Sequence, residues 1–264
     1  MARKIGFISV ATNVYIEYWK AMIDSLYSQT ESKTQVCIYL FTDDSVTAEN
    51  FSKPYTDFEF RIFQVKPYVW PEATLLRYEL ISKKIDFYDN EILVYIDADM
   101  LIKQDLVYRI LDLELNETIC LVRHPGYWRE PGLRARIRRS INFPILALKD
   151  AVMKLRIGGL GSWERNKDSL SYVPRKKRHK YFCGGLWLGT RSHFTDMTSR
   201  LAKAVNEDLK RNIIATWHDE SHLNKWATDN RFQELTPSYC FDPTYSNLQG
   251  LPEIVRAVQK PSKT

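Results

Sequence analysis

Residues 92–100 read Ile92-Leu93-Val94-Tyr95-Ile96-Asp97-Ala98-Asp99-Met100, five apolar residues that end abruptly in two carboxylates. A short, unbroken apolar run bounded by polar residues predicts a strand buried on both faces. Strands of that kind need helices on either side, and ligands bind beyond their carboxyl ends, where the two acids stand. Upstream, Ile5–Val10 is another such run, stopped by Thr12-Asn13, and Ile16, Trp19, Ile23 and Leu26 then recur at helical spacing through Gln29. Val36–Phe41 and Phe58–Val65 read as further strands, and Leu75, Tyr78, Ile81 and Ile85 predict a helix over Thr74–Tyr88. Thr118–His124 is strand-like. A glycine-rich segment, Tyr181–Gly189, precedes a helix carrying Phe194, Met197, Leu201, Val205 and Leu209, and the polar segment Trp217–Trp226 follows. Alternating strands and helices predict an α/β fold with a mostly parallel central sheet and helices on both faces.

The 264 residues, 44% of them hydrophobic, suffice for one domain over 1–264. Lys and Arg number 38 against 32 acids, and a net charge of +6 is too modest to argue for a nucleic-acid partner. Cys37, Cys120, Cys183 and Cys240 lie far apart, without the spacing of a disulfide framework or zinc knuckle, and read as reduced thiols. The apolar run after Met1-Ala2-Arg3-Lys4 is too short for a signal sequence or a spanning helix, so a cytoplasmic location is expected.

Asp97 and Asp99 are two apart. In extended chain such residues point the same way, about 6.5–7 Å apart at the backbone. Two hard carboxylates so placed suit Mn²⁺ or Mg²⁺ with positions left open for phosphate oxygens; the same acids would also serve as a turn or helix cap. Trp217-His218-Asp219-Glu220-Ser221-His222-Leu223-Asn224 holds six polar residues against two apolar ones, more than core requires. Acids in a first helical turn complement the macrodipole. His218 and His222, four apart, also admit a zinc hydrolase, although Asp219 stands where that motif places its glutamate. A non-catalytic sugar- or polyanion-binding protein is a third reading.

The stretch Ala215–Lys225, ATWHDESHLNK, closely resembles the signature of family 6 glycosyltransferases, and Leu235–Asp242, LTPSYCFD, is similar to that family's LSPEYLWD run. Phe41-Thr42-Asp43, Tyr95–Met100, His124-Pro125-Gly126-Tyr127 and Gly184-Gly185 occur in the family's order, so the resemblance spans nearly the whole chain. It implies a GT-A type fold and a retaining transfer of GalNAc or Gal from a UDP-sugar to a galactoside-type glycan through an α-1,3 linkage. By position, it also implies that Asp97 and Asp99 hold Mn²⁺ (or Mg²⁺) on the diphosphate, with Ala98 between them. Val10, Ala11, Thr12 and Tyr15 would form the uridine pocket, and Arg77 would reach the donor sugar or diphosphate. Cys183, Gly184 and Gly185 would border the sugar, and the small Cys183 and Gly185 would leave room for an N-acetyl group. Asp219 would bind donor hydroxyls, Glu220 would be the catalytic carboxylate, and His124, Trp217 and Asp242 would hold the acceptor. The chain then divides into a UDP- and metal-binding half (1–128), a basic insertion (129–159) and an acceptor-binding and catalytic half (160–264). With no membrane anchor, a bacterial-type or viral enzyme is implied. Its short C-terminus makes closure over the diphosphate by Lys260 or Lys263 unexpected.

The insertion holds eight basic residues against Glu130 and Asp150. Beyond Pro144, Ile145, Leu148, Val152 and Leu155 recur at three and four and predict a short amphipathic helix. Either it packs on the protein, or it meets a membrane surface that carries a lipid-linked acceptor.

Overall fold

A computed structural model describes residues 4–31, 36–115 and 118–259. Its strands are β1 (Ile5–Ala11), β2 (Val36–Thr42), β3 (Phe58–Gln64), β4 (Ile92–Ile96), β5 (Met100–Ile102), β6 (Ile119–Arg123), β7 (Phe182–Thr190), β8 (Gln233–Leu235) and β9 (Val255–Ala257). Its helices are α1 (Tyr15–Gln29), α2 (Ser45–Ser52), α3 (Glu72–Leu75), α4 (Arg77–Ser82), α5 (Leu106–Leu111), α6 (Leu133–Asn142), α7 (Pro144–Ile157), α8 (Arg191–Lys210) and α9 (His218–Asp229).

Seven strands form one sheet in the order β3-β2-β1-β4-β7-β6-β8, and β5 pairs with β9 in a separate ribbon. The pairs β1–β2, β2–β3, β1–β4 and β6–β8 are parallel, whereas β7 runs antiparallel to both β4 and β6. Strand order builds outward from β1 to β3 and then jumps to β4 on the other side. The carboxyl ends of β1 and β4 therefore part at a switch point, where a crevice opens.

Both faces are covered, which explains the unbroken apolar strands. Along β1, Phe7 packs with Trp19, Met22 and Ile23 of α1, while Ile8 faces the layer of Tyr78 and Ile81 (α4) with Phe194 and Met197 (α8). Each such buried side chain contributes about 1.5–3 kcal/mol, so alternate residues of one strand hold the two helical layers.

The structure departs from the expected elements in three places. The helix predicted over Thr74–Tyr88 is broken at Leu76, which adopts φ −91°, ψ 0°, and a 3₁₀ turn occupies Ile85–Phe87. That break turns Arg77, Tyr78 and Ile81 to the buried side. The short helices α2 and α5 carried too little periodicity to be read, yet each has a carboxylate cap: Asp44 accepts from Thr47 N at 3.0 Å and Asp105 from Tyr108 N at 2.8 Å. In the insertion the expected short helix is a full α7, with Pro144 in its first turn and Gly158 closing it at φ 97°. A second helix, α6, precedes it.

Candidate active site

A cleft of about 390 Å³ lies at the switch point, lined by Val10, Thr12, Tyr15, Arg77, Asp97, Ala98 and Asp99 together with residues 68–70 and Thr74. Ala11 does not join them: its methyl is fully buried in the core. The mouth is tied down by backbone recognition. Thr12 Oγ1 and Asn13 Nδ2 both donate to the Tyr68 carbonyl, at 3.1 and 2.8 Å, and Asp43 accepts from Asn13 N at 2.8 Å. The segment Tyr68-Val69-Trp70 was not foreseen. Its signal was a pair of aromatics in a polar, proline-flanked loop, and Trp70 is 74% exposed against the His218 ring.

The acids after β4 and those at the start of α9 meet through one guanidinium. Arg77 Nη1 lies 3.0 Å from Asp97 Oδ1 and 3.3 Å from Asp219 Oδ2, and donates to the Gly184 carbonyl at 3.3 Å. Burial disfavours its charge, but Asp219 and Asp97 more than offset this and hold the group protonated. Its Nε atom is buried without a hydrogen-bond partner. Tyr95, stacked on Trp187, donates to Asp97 at 2.7 Å.

β7 runs beside Asp97, whose N–H donates to the Gly185 carbonyl at 2.9 Å. Alternation along β7 gives each glycine its own duty. A Cβ on Gly184 would stand 2.8 Å from Asp219 Oδ2, and one on Gly185 would stand 2.6 Å from Met100 Cε. A Cβ on Gly185 would also meet Asp97 and Cys240, and Cys183 is buried against Cys240. These small residues let the layers approach closely.

Glu220 accepts from Gly184 N at 2.9 Å. Burial pushes its carboxyl up to about 8, opposed by that N–H and reinforced by Asp219. Asp219 is raised to about 6 by burial, with Arg77 pulling the other way and Asp97 adding to the rise. Two neighbouring carboxyls that resist ionisation, tied through Arg77 to the cleft, are a frequent mark of catalytic carboxylates. Upstream, Glu164 accepts from Thr216 N at 2.6 Å and Thr216 Oγ1 at 2.9 Å, which anchors the approach to α9 and leaves Trp217 53% exposed.

On the other side of β7, His124 Nδ1 accepts from Gly126 N at 3.0 Å. Burial lowers the imidazole to about 4, only partly offset by Asp242, so the ring is neutral and its Nε2 carries the proton. Tyr127, Tyr181 and Tyr245 surround it, a cluster the sequence analysis missed because the three are scattered along the chain. Asp242 is near enough to act on His124, and it accepts from Thr244 N and Oγ1 at 2.9 and 2.7 Å. Trp217 lies just before α9.

The histidine pair does not converge. His222 is buried with Nε2 3.6 Å from Asp208 Oδ2, in the contact between α8 and α9, while His218 lies against Trp70. Among the described residues no three of His, Cys, Asp and Glu gather as ligands for one ion. Lys260 and Lys263 lie outside the described residues.

Residues 160–263 match the family model for glycosyltransferase family 6. The histo-blood group ABO system transferase 1 of Rattus norvegicus is 24% identical over 260 residues, covering 97% of this chain and 65% of the relative. The O-antigen biosynthesis glycosyltransferase WbnI of Escherichia coli is 26% identical over 249 residues and 92% of both chains. The globoside alpha-1,3-N-acetylgalactosaminyltransferase 1 of Gallus gallus is 23% identical over 244 residues, 90% of this chain and 62% of the relative. The chain thus spans about two thirds of the length of its animal relatives.

Proposed function

Because this chain belongs to glycosyltransferase family 6 and has a GT-A type fold, we propose that it is a retaining transferase. It moves GalNAc or Gal from a UDP-sugar to a hydroxyl of a galactoside-type glycan and forms an α-1,3 linkage. One observation carries the reading: Arg77 joins Asp97, at the carboxyl end of β4, to Asp219 at the start of α9. A nucleotide-binding crevice and a pair of acids with raised pKa values are thereby one site.

The cleft bearing Val10, Thr12 and Tyr15 would take the uridine. Asp97 and Asp99 offer hard carboxylate oxygens and fit Mn²⁺ or Mg²⁺, with Arg77 beside them as a fixed positive charge. When bound, such an ion supplies neutralisation of the charge that develops on the departing diphosphate. Asp219 would bind donor hydroxyls while held by Arg77. Glu220, fixed by the Gly184 N–H, is the group to face the anomeric carbon; retention requires either its attack there or its stabilisation of an oxocarbenium-like state during same-face exchange. Neutral His124 would donate from Nε2 to an acceptor hydroxyl, with Asp242 accepting beside it, and the exposed Trp217 indole offers a face for a sugar ring. The leaving UDP oxygen would accept the acceptor's proton.

The name of the chicken relative favours GalNAc as the first donor to test; the packing around Gly185 gives no preference. Release of UDP is to be measured from UDP-GalNAc, UDP-Gal and UDP-GlcNAc with Mn²⁺, on a panel of galactosides and fucosyl-galactosides. Acceptor-dependent release from a galacto-configured donor, with an α-linked product by NMR, is the expected result. Tight UDP-sugar binding with no release under any acceptor would make the chain a binding protein instead.

A further inference from the structure

Helices α6 and α7 form a hairpin that stands out from the body of the protein, and neither contains a buried residue. On α6, Leu133, Ile137 and Ile141 recur at four-residue steps, and on α7 Ile145, Leu148, Val152 and Leu155 recur at three and four. All are exposed, from 41% at Val152 to 73% at Leu155. So many large apolar side chains in solvent on two adjacent helices demand a covering.

The hairpin is braced, not loose. Asp150 on α7 receives Arg129 at 2.7 Å and Arg139 of α6 at 2.9 Å, which locks the two helices together and to the segment following His124. Asn247 Nδ2 donates to the Pro125 and Trp128 carbonyls at 2.8 and 3.1 Å, tying that segment to the Asp242–Tyr245 side. Arg138 pairs with Glu130. These pairs consume both acids of the insertion. Arg134, Arg136, Lys149, Lys154 and Arg156 remain exposed on the two helices.

We infer that the α6–α7 hairpin docks the protein on an anionic lipid surface, with its apolar side chains inserted shallowly and its arginines and lysines at headgroup level. The choice of a membrane over a protein partner rests on charge. Long cationic side chains beside an exposed apolar face suit the boundary between acyl chains and phosphate, because their stems bury while their charges reach outward. A second copy of the chain would bring the same cations together at a desolvated seam. Through Arg129 the hairpin is continuous with the His124–Tyr127 segment, so docking would hold the acceptor side of the cleft at the bilayer surface. The inference is independent of the donor assignment.

The test is sedimentation of the full chain with vesicles of phosphatidylcholine alone or with one-third phosphatidylglycerol, at 50 mM and 500 mM NaCl, in the absence of any sugar nucleotide. A quadruple variant changes Arg134, Arg136, Lys149 and Arg156 to Gln; a second changes Ile141 and Leu148 to Ser. Both leave Arg129, Arg139 and Asp150 in place. Leu148→Trp reports insertion through its emission wavelength.

Binding to anionic vesicles at 50 mM salt should fall about a hundredfold in the quadruple variant and by a similar factor at 500 mM. The serine variant should lose at least about tenfold, and the added indole emission of the Leu148→Trp variant should shift to the blue on anionic vesicles only. Equal binding to both vesicle types, or none, would overturn the inference. So would self-association of the parent chain, by analytical ultracentrifugation, that the Ile141/Leu148 variant abolishes without any vesicle binding. The vesicle and emission comparisons on the parent chain and on Leu148→Trp decide the matter even if a multiple variant fails to fold.

Discussion

At the scale of single residues, the site is governed by which charges its surroundings tolerate. Glu220 ionises only near pH 8 in the free protein, chiefly because it is buried. A carboxyl whose folded-state pKa lies above its unfolded value binds its proton more tightly when folded. It favours the fold at low pH, and that contribution is lost as pH rises from about 4.5, its ordinary value, through about 8. Glu220→Gln removes the charge and keeps the shape. The variant should therefore melt at a higher temperature than the parent at pH 9 and at nearly the same temperature at pH 5, while kcat falls about a hundredfold or more with UDP affinity kept. Calorimetry at the two pH values, beside single-turnover kinetics, separates these effects; equal melting at pH 9 would mean that the carboxylate is not desolvated. The two acids after β4 make a second prediction. Asp97→Asn or Asp99→Asn should leave a folded protein without metal-stimulated transfer, and turnover by either that survives EDTA would remove the metal from the reaction.

Among elements, α9 delivers Asp219 and Glu220, and the way it is clamped decides where they point. Asp208 on α8 is buried and accepts from Ser169 Oγ at 2.6 Å, from Leu170 N at 2.9 Å and from Arg211 Nη2 at 2.6 Å, with His222 of α9 beside it. Asp208→Ala would strand all of these groups. A loss of about 3–5 kcal/mol in urea unfolding is expected, with transfer falling as α9 shifts. Asp208→Asn keeps two of the contacts and should lose less. β7 sets the other wall. Gly184→Ala would press its methyl on Asp219 Oδ2, at 2.8 Å, and disturb the Asp219–Arg77 pair. KM for the donor should rise with little change in melting temperature, as measured by initial rates across donor concentrations. How α9 is held could not be read in advance: the His218/His222 spacing resembles a zinc pair, and only the packing of α8 on α9 turns His222 away from the cleft.

For the molecule as a whole, the acids at the carboxyl end of β4 supply two oxygens and the rest of a coordination shell would come from the diphosphate and water. Metal and UDP should then bind together. Titration calorimetry is expected to show Mn²⁺ affinity rising at least about tenfold when UDP is present, and UDP affinity rising by the same factor when Mn²⁺ is present, because linkage is reciprocal. Strong Mn²⁺ binding without UDP would point to ligands beyond Asp97 and Asp99.

The sequence by itself determined the class of fold and the chemistry of the site's two ends. Unbroken apolar runs of strand length such as Ile92–Ile96, bounded by polar residues, predict strands covered on both faces, and Asp97 and Asp99 stand at the edge where such a sheet opens its crevice. The polar run around Asp219 and Glu220 can enter the interior only with partners, as Asp219 does against Arg77 and Asn224 does against the Phe182 backbone. Periodicity is local, however, and says nothing about which runs become neighbours. Only the tertiary structure set β7 antiparallel beside β4, brought Gly184 against Glu220, broke the helix at Leu76 so that Arg77 faces inward, and packed Met100 into the space beside Gly185. Each of these rests on contacts between residues far apart in the chain, where burial of one layer against another, not the pattern within either, selects the arrangement.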